Sequence, residues 1–76
     1  MTYPTHVRLS PRQRQVIELV ARGLKNHEIA GELGITQHVV RNYISKIYAT
    51  IGVNNRVELA LWYEARTNEI RRENSR

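Results

Sequence analysis

The sequence predicts an all-α domain of four helices. Three observations predict it: capping residues and glycine stops alternate along the chain, apolar residues recur at the 3.6-residue period, and no stretch shows strand alternation. No repeat, linker or low-complexity tract interrupts this pattern.

Ser10, Pro11 and Gln13 open the first helix, as N-cap, first helical residue and capping-box partner. Val16, Ile17, Leu19 and Val20 form its apolar side, and it runs to about Arg22, with Gly23 as its left-handed stop. Asn26 is the expected cap of a short second helix carrying Ile29, Ala30 and Leu33 and ending at Gly34. Thr36 caps a third helix that reaches about Ile51 and closes at Gly52. Asn54 or Asn55 begins a fourth, with Leu59, Ala60 and Tyr63 toward the core and Trp62 bordering both sides. The charged tail, 67–76, leaves two outcomes open: a continuation of the fourth helix, or frayed chain. The expected division is an N-terminal arm over 1–8, a domain over 9–66 and this tail.

Seventy-six residues allow one small domain with a thin core, and the absence of cysteine removes disulfides and thiolate metal sites. Stability must come from helix packing, with a partner subunit as a further source. Twelve Lys and Arg stand against seven Glu and no Asp, a net charge of +5 that favours a polyanionic partner. No apolar run approaches the roughly 20 residues of a membrane span, and the first residues lack the apolar stretch of a secretory signal. The expected location is the cytoplasm, at the nucleoid, with no membrane partner. His6, His27 and His38 fall in separate elements, and Glu28 with Glu32 has no third ligand, so neither a metal or other cofactor nor an enzyme is expected.

The segment Ile29-Ala30-Gly31-Glu32-Leu33-Gly34-Ile35-Thr36 joins two helices through a short glycine turn, which makes them cross steeply. That is helix-turn-helix geometry. On the third helix, at about 100° per residue, Val40, Ile44, Ile47 and Ile51 fall on one narrow aliphatic stripe. Opposite lie His38, Arg41, Asn42, Ser45 and Ala49, bordered by Lys46, with no acid among them. Such a face can lie against phosphates without repulsion. Arg41 suits guanine O6 and N7, Asn42 suits adenine N6 and N7, and Gln37 and His38 would enter a major groove first. Ser45 is a less specific base contact, and Lys46 is better placed for phosphate. Helix N-termini add phosphate candidates: Lys25 and Asn26 at the second helix, Thr36 at the third, Asn55 and Arg56 at the fourth. For the Asn and Thr residues, capping alone is an equally good account.

Taken together, Leu9-Ser10-x-Arg12, Ala21-x-Gly23-Leu24-x-Asn26-x-Glu28-Ile29-Ala30, Leu33-x-Ile35-Thr36, Val40-Arg41, Ile44-x-x-Ile47 and Ile51-Gly52-Val53-x-x-Arg56 resemble the LuxR-type (GerE/FixJ-like) DNA-binding domain of bacterial transcription regulators. The resemblance covers Leu9 to Ala65. It implies a tri-helical core whose third helix reads the major groove through positions matching Arg41, Asn42 and Ser45. It also implies a fourth helix that pairs two protomers on an inverted repeat. The chain departs from the family pattern at Gln13 and Gln15, usually acidic, at Val39, often a phosphate-touching Thr, and at Tyr43 and Thr50, often His and Lys.

The residues themselves bear on pairing. Val57 and Leu61 lie one turn apart on the fourth helix, away from its core side and flanked by Glu64 and Ala65, which suits a small isologous interface. Expected partners are therefore double-stranded DNA and a second copy, with RNA polymerase or another regulator as further partners. A promoter-binding domain like sigma-factor region 4, and a protein-interaction module that keeps the fold, are the alternative readings.

Overall fold

The computed structural model describes residues 7–74, with side chains through Arg71. Most of the arm assigned to 1–8, and the end of the tail, lie outside the described residues. Four helices follow in order: α1 (Pro11–Ala21), α2 (Asn26–Leu33), α3 (Gln37–Ile51) and α4 (Arg56–Asn74), with no strand among the described residues. The all-α expectation holds.

Local hydrogen bonds explain the boundaries. Gln13 N–H donates to Ser10 Oγ at 3.1 Å and Ser10 N–H donates to Gln13 Oε1 at 2.9 Å, so the reciprocal box at α1 forms with Pro11 inside it. The helix ends when Leu24 N–H reaches back to the Leu19 carbonyl (3.1 Å) and Gly23 N–H to that of Val20 (2.9 Å). This double bond needs a left-handed residue, and Gly23 supplies it at φ 90°.

At α2 the expectation is corrected. Lys25, not Asn26, holds the N-cap position, and its N–H donates to Glu28 Oε1 at 2.8 Å. Asn26 is the first helical residue, and its side-chain oxygen accepts from Arg56 instead. Thr36 does cap α3, accepting from Val39 N–H at 3.2 Å. At α4, Asn55 Oδ1 accepts from Glu58 N–H (2.9 Å) and Glu58 Oε1 accepts from Asn54 N–H (2.8 Å), so the two asparagines share the start.

The core is apolar, with no buried polar residue among those described. α1 packs on all three other helices, most extensively on α4, while α2 packs chiefly on α3. The α3 stripe of Val40, Ile44, Ile47 and Ile51 is buried as its spacing predicts. On α4 the centre of the buried face is Leu59 and Trp62, and Ala60 and Tyr63 sit at its edge. Trp62 is therefore core, its ring covered by the Arg66 guanidinium 5.3 Å from the centroid. Arg66 also donates to the Val7 carbonyl at 3.1 Å, tying the chain ahead of α1 to α4.

The open question of the tail is answered in favour of helix: α4 continues through Asn74, 19 residues or about 28 Å at 1.5 Å per residue. The molecule is correspondingly elongated, 40 × 23 × 20 Å. No helix among the described residues is long and apolar enough to cross a membrane.

Candidate nucleic-acid interface

The turn between α2 and α3 is held by Gly34 at φ 66° and by Ile35 N–H donating to the Ala30 carbonyl at 3.1 Å. Its two apolar ends, Leu33 and Ile35, pack half-buried against the core. The recognition-type helix α3 is thus anchored by its buried stripe, and its other side is free. Gln37, His38, Arg41, Asn42, Ser45, Lys46 and Ala49 are all exposed, and α3 contains no acidic residue. Of the five residues expected to touch bases, His38, Arg41, Asn42 and Ser45 lie on this side, while Gln37 is exposed at the start of the helix, beside the stripe.

Tertiary packing gathers three of the six phosphate candidates, Lys25, Asn26 and Arg56, into one place. A shallow groove of about 380 Å³ is lined by Lys25, Asn26, His27, Gln37 and Arg56, together with Val20, Gly23 and Leu24. It joins the N-terminus of α2, the first residue of α3 and the first residue of α4, where unpaired amides and dipoles favour anions. Lys46 lies apart, in a second depression with Val39, Asn42 and Tyr43. Thr36 and Asn55 are exposed, but each side-chain oxygen caps its own helix.

Arg56 has a role the sequence did not reveal. Its Nη1 donates to Asn26 Oδ1 at 2.8 Å and its Nη2 donates to the Leu24 carbonyl at 2.6 Å. The guanidinium therefore braces the start of α2 from the start of α4. Two of its five N–H groups are used, and the others stay available to an anion. No local signal could have found this bond, because the partners are 30 residues apart. His27, which the sequence assigns to no site, also lines the groove. Burial raises the Tyr48 hydroxyl above its ordinary value, and the Arg56 charge partly offsets this.

On the far side, Val57 is 69% and Leu61 47% exposed on α4, and Glu64 and Ala65 beside them are exposed. Ile70, 48% exposed, lies on the Leu59–Trp62 side, beyond the end of the core. No group of three metal-ligating side chains occurs among the described residues.

A glycine-turned pair of helices, a carboxylate-free helix face and a cationic groove beside it define a helix-turn-helix domain of the DNA-binding class. Comparison with known proteins agrees. The family described as "Bacterial regulatory proteins, luxR family" matches residues 7–63, and the chain belongs to this family of DNA-binding transcription-regulator domains. It is 47% identical over 58 residues to the two-component response regulator PprB of Pseudomonas aeruginosa, covering 76% of this chain and 21% of that protein. It is 50% identical over 50 residues to the transcriptional regulatory protein DesR of Bacillus subtilis (66% of this chain, 25% of that one). Similarity to the nitrate/nitrite response regulator NarL of Escherichia coli is 37% over 54 residues (71% and 25%). The chain thus spans about a quarter or less of these relatives. The family match stops at residue 63, whereas α4 continues to Asn74.

Proposed function

We propose that this domain binds specific sequences of double-stranded DNA, with α3 in the major groove, as a dimer on an inverted repeat. The observation that carries the reading is the α3 face, exposed from His38 to Ala49 along one side without a single carboxylate. Arg41 and Asn42 supply bidentate pairing to guanine and adenine, and Gln37, His38 and Ser45 complete the base contacts. Lys25, Thr36, Lys46 and Asn55 contact phosphates, with Asn26 and Arg56 adding the N–H groups their mutual bond leaves over. Phosphate contacts position the helix, and base contacts choose the site.

Val57, Leu61, Glu64 and Ala65 form the pairing face. Two exposed aliphatics on one helix make an interface at the small end of the range, so pairing is weak in solution and is completed on DNA. The domain acts in the cytoplasm, at the nucleoid, and regulates transcription there, with RNA polymerase or another regulator as its protein partner.

The test is a selection from random duplexes at about 0.15 M salt, where non-specific phosphate binding is already weakened. An enriched inverted repeat with half-sites about one helical turn apart is the expected result. Salt-sensitive binding to every sequence without enrichment would refute specific reading by α3. Binding to a protein partner with no salt-dependent DNA affinity would refute the DNA function altogether.

A further inference from the structure

Of the branched aliphatic residues on α3, Val40, Ile44, Ile47 and Ile51 are buried in the stripe, and Val39 alone is not. Val39 is half-buried and lines a shallow depression of about 280 Å³ with Asn42, Tyr43 and Lys46. These are positions i, i+3, i+4 and i+7, neighbours on one side of the helix. The depression is therefore apolar at Val39 and Tyr43 and polar at Asn42 and Lys46. It adjoins the face that reads bases.

A valine can neither donate nor accept a hydrogen bond, so it offers nothing to a phosphate oxygen. In the major groove one base-edge group matches it: the C5-methyl of thymine, which favours apolar contact. Helical valine holds essentially one χ1 rotamer, so its methyls are already placed and little entropy is lost on contact. One turn along, Asn42 is suited to adenine, and a further turn along Lys46 is suited to phosphate.

We infer that Val39 reads the methyl group of a thymine beside the base read by Asn42, and so sets specificity at that position. The inference rests on the placement of α3 in the major groove proposed above.

The test uses the operator enriched by selection, with each thymine replaced in turn by deoxyuridine, which lacks only the methyl. Binding of the wild-type protein and of Val39→Ala is then measured at fixed salt. One thymine per half-site is expected to weaken wild-type binding about fourfold on losing its methyl, and about fifteenfold when replaced in both half-sites. Val39→Ala should be indifferent to that same replacement, while its response to every other position is unchanged. Should Val39→Ala fail to fold, Val39→Thr has the same shape, and its hydroxyl should reduce the discrimination between thymine and deoxyuridine.

An enriched operator in which no deoxyuridine effect depends on residue 39, or whose half-site holds no thymine, overturns this inference and leaves the DNA reading standing. Absence of any enriched operator overturns both.

Discussion

Arg56 offers the sharpest test of how this small domain holds its DNA-binding surface together. Its guanidinium makes two bonds, to Asn26 Oδ1 at 2.8 Å and to the Leu24 carbonyl at 2.6 Å, both in a half-buried setting. Hydrogen bonds from a charged donor contribute about 1.5–3 kcal/mol when buried, and partial exposure places these at or below the lower figure. Arg56→Met keeps the stem and removes both bonds, so a loss of about 2–3 kcal/mol is expected. Asn26→Ala removes one acceptor, and about 1 kcal/mol should go with it.

The double variant should cost little more than Arg56→Met alone, giving a coupling of about 1 kcal/mol. Against a total of roughly 4–11 kcal/mol for a chain of 76 residues, these are large effects. Urea melts followed by far-UV circular dichroism resolve them, provided the m-value stays constant. Arg56→Lys should recover only part of the loss, because an ammonium lacks the planar fork that serves two acceptors at once. If the two single losses add to within about 0.3 kcal/mol, the residues do not act together and Arg56 is no brace for Asn26.

Three further outcomes follow from the same geometry. Arg41→Ala should weaken operator binding by about 1–3 kcal/mol and relax one base position in a repeated selection, whereas a uniform loss over all sequences would make Arg41 a phosphate contact. Leu61→Glu should leave binding to a single half-site unchanged but weaken binding to the paired site more than tenfold, read by gel shift alongside sedimentation; equal losses on both duplexes would place pairing elsewhere on the molecule. Burial raises the Tyr48 hydroxyl in the folded state, so its contribution to stability is complete below the unfolded value, about 10, and is lost as pH rises through the higher folded value. Tyr48→Phe should therefore flatten the fall in stability on the alkaline side, and an unchanged alkaline profile would contradict the burial effect.

The extension of α4 past residue 63 shows what local pattern can and cannot settle. The tail 67–76 is charged, with Ile70 its one aliphatic residue, and such a composition fits both a helix and a frayed end. What decides the matter is that α4 is already nucleated at Asn54 and Asn55 and packed along α1, so each further residue only propagates the helix.

The sequence by itself determined the elements whose causes are local. The Ser10–Gln13 box, the Thr36 cap and the glycine stops at positions 23, 34 and 52 act within about five residues, and each is present. The α3 stripe and the carboxylate-free face opposite it are equally legible, because helical periodicity alone sorts one side from the other. Only the tertiary structure decided matters that need distant partners. The Asn26 oxygen is engaged by a guanidinium 30 residues away, and Trp62 is core because α4 is rotated onto α1 so that Leu59 and Trp62 lead. The groove uniting Lys25, Gln37 and Arg56 likewise exists only once three helix starts converge. The physical reason is the range of the forces: caps and periodicity are written in neighbours along the chain, whereas these arrangements depend on which surfaces packing brings face to face.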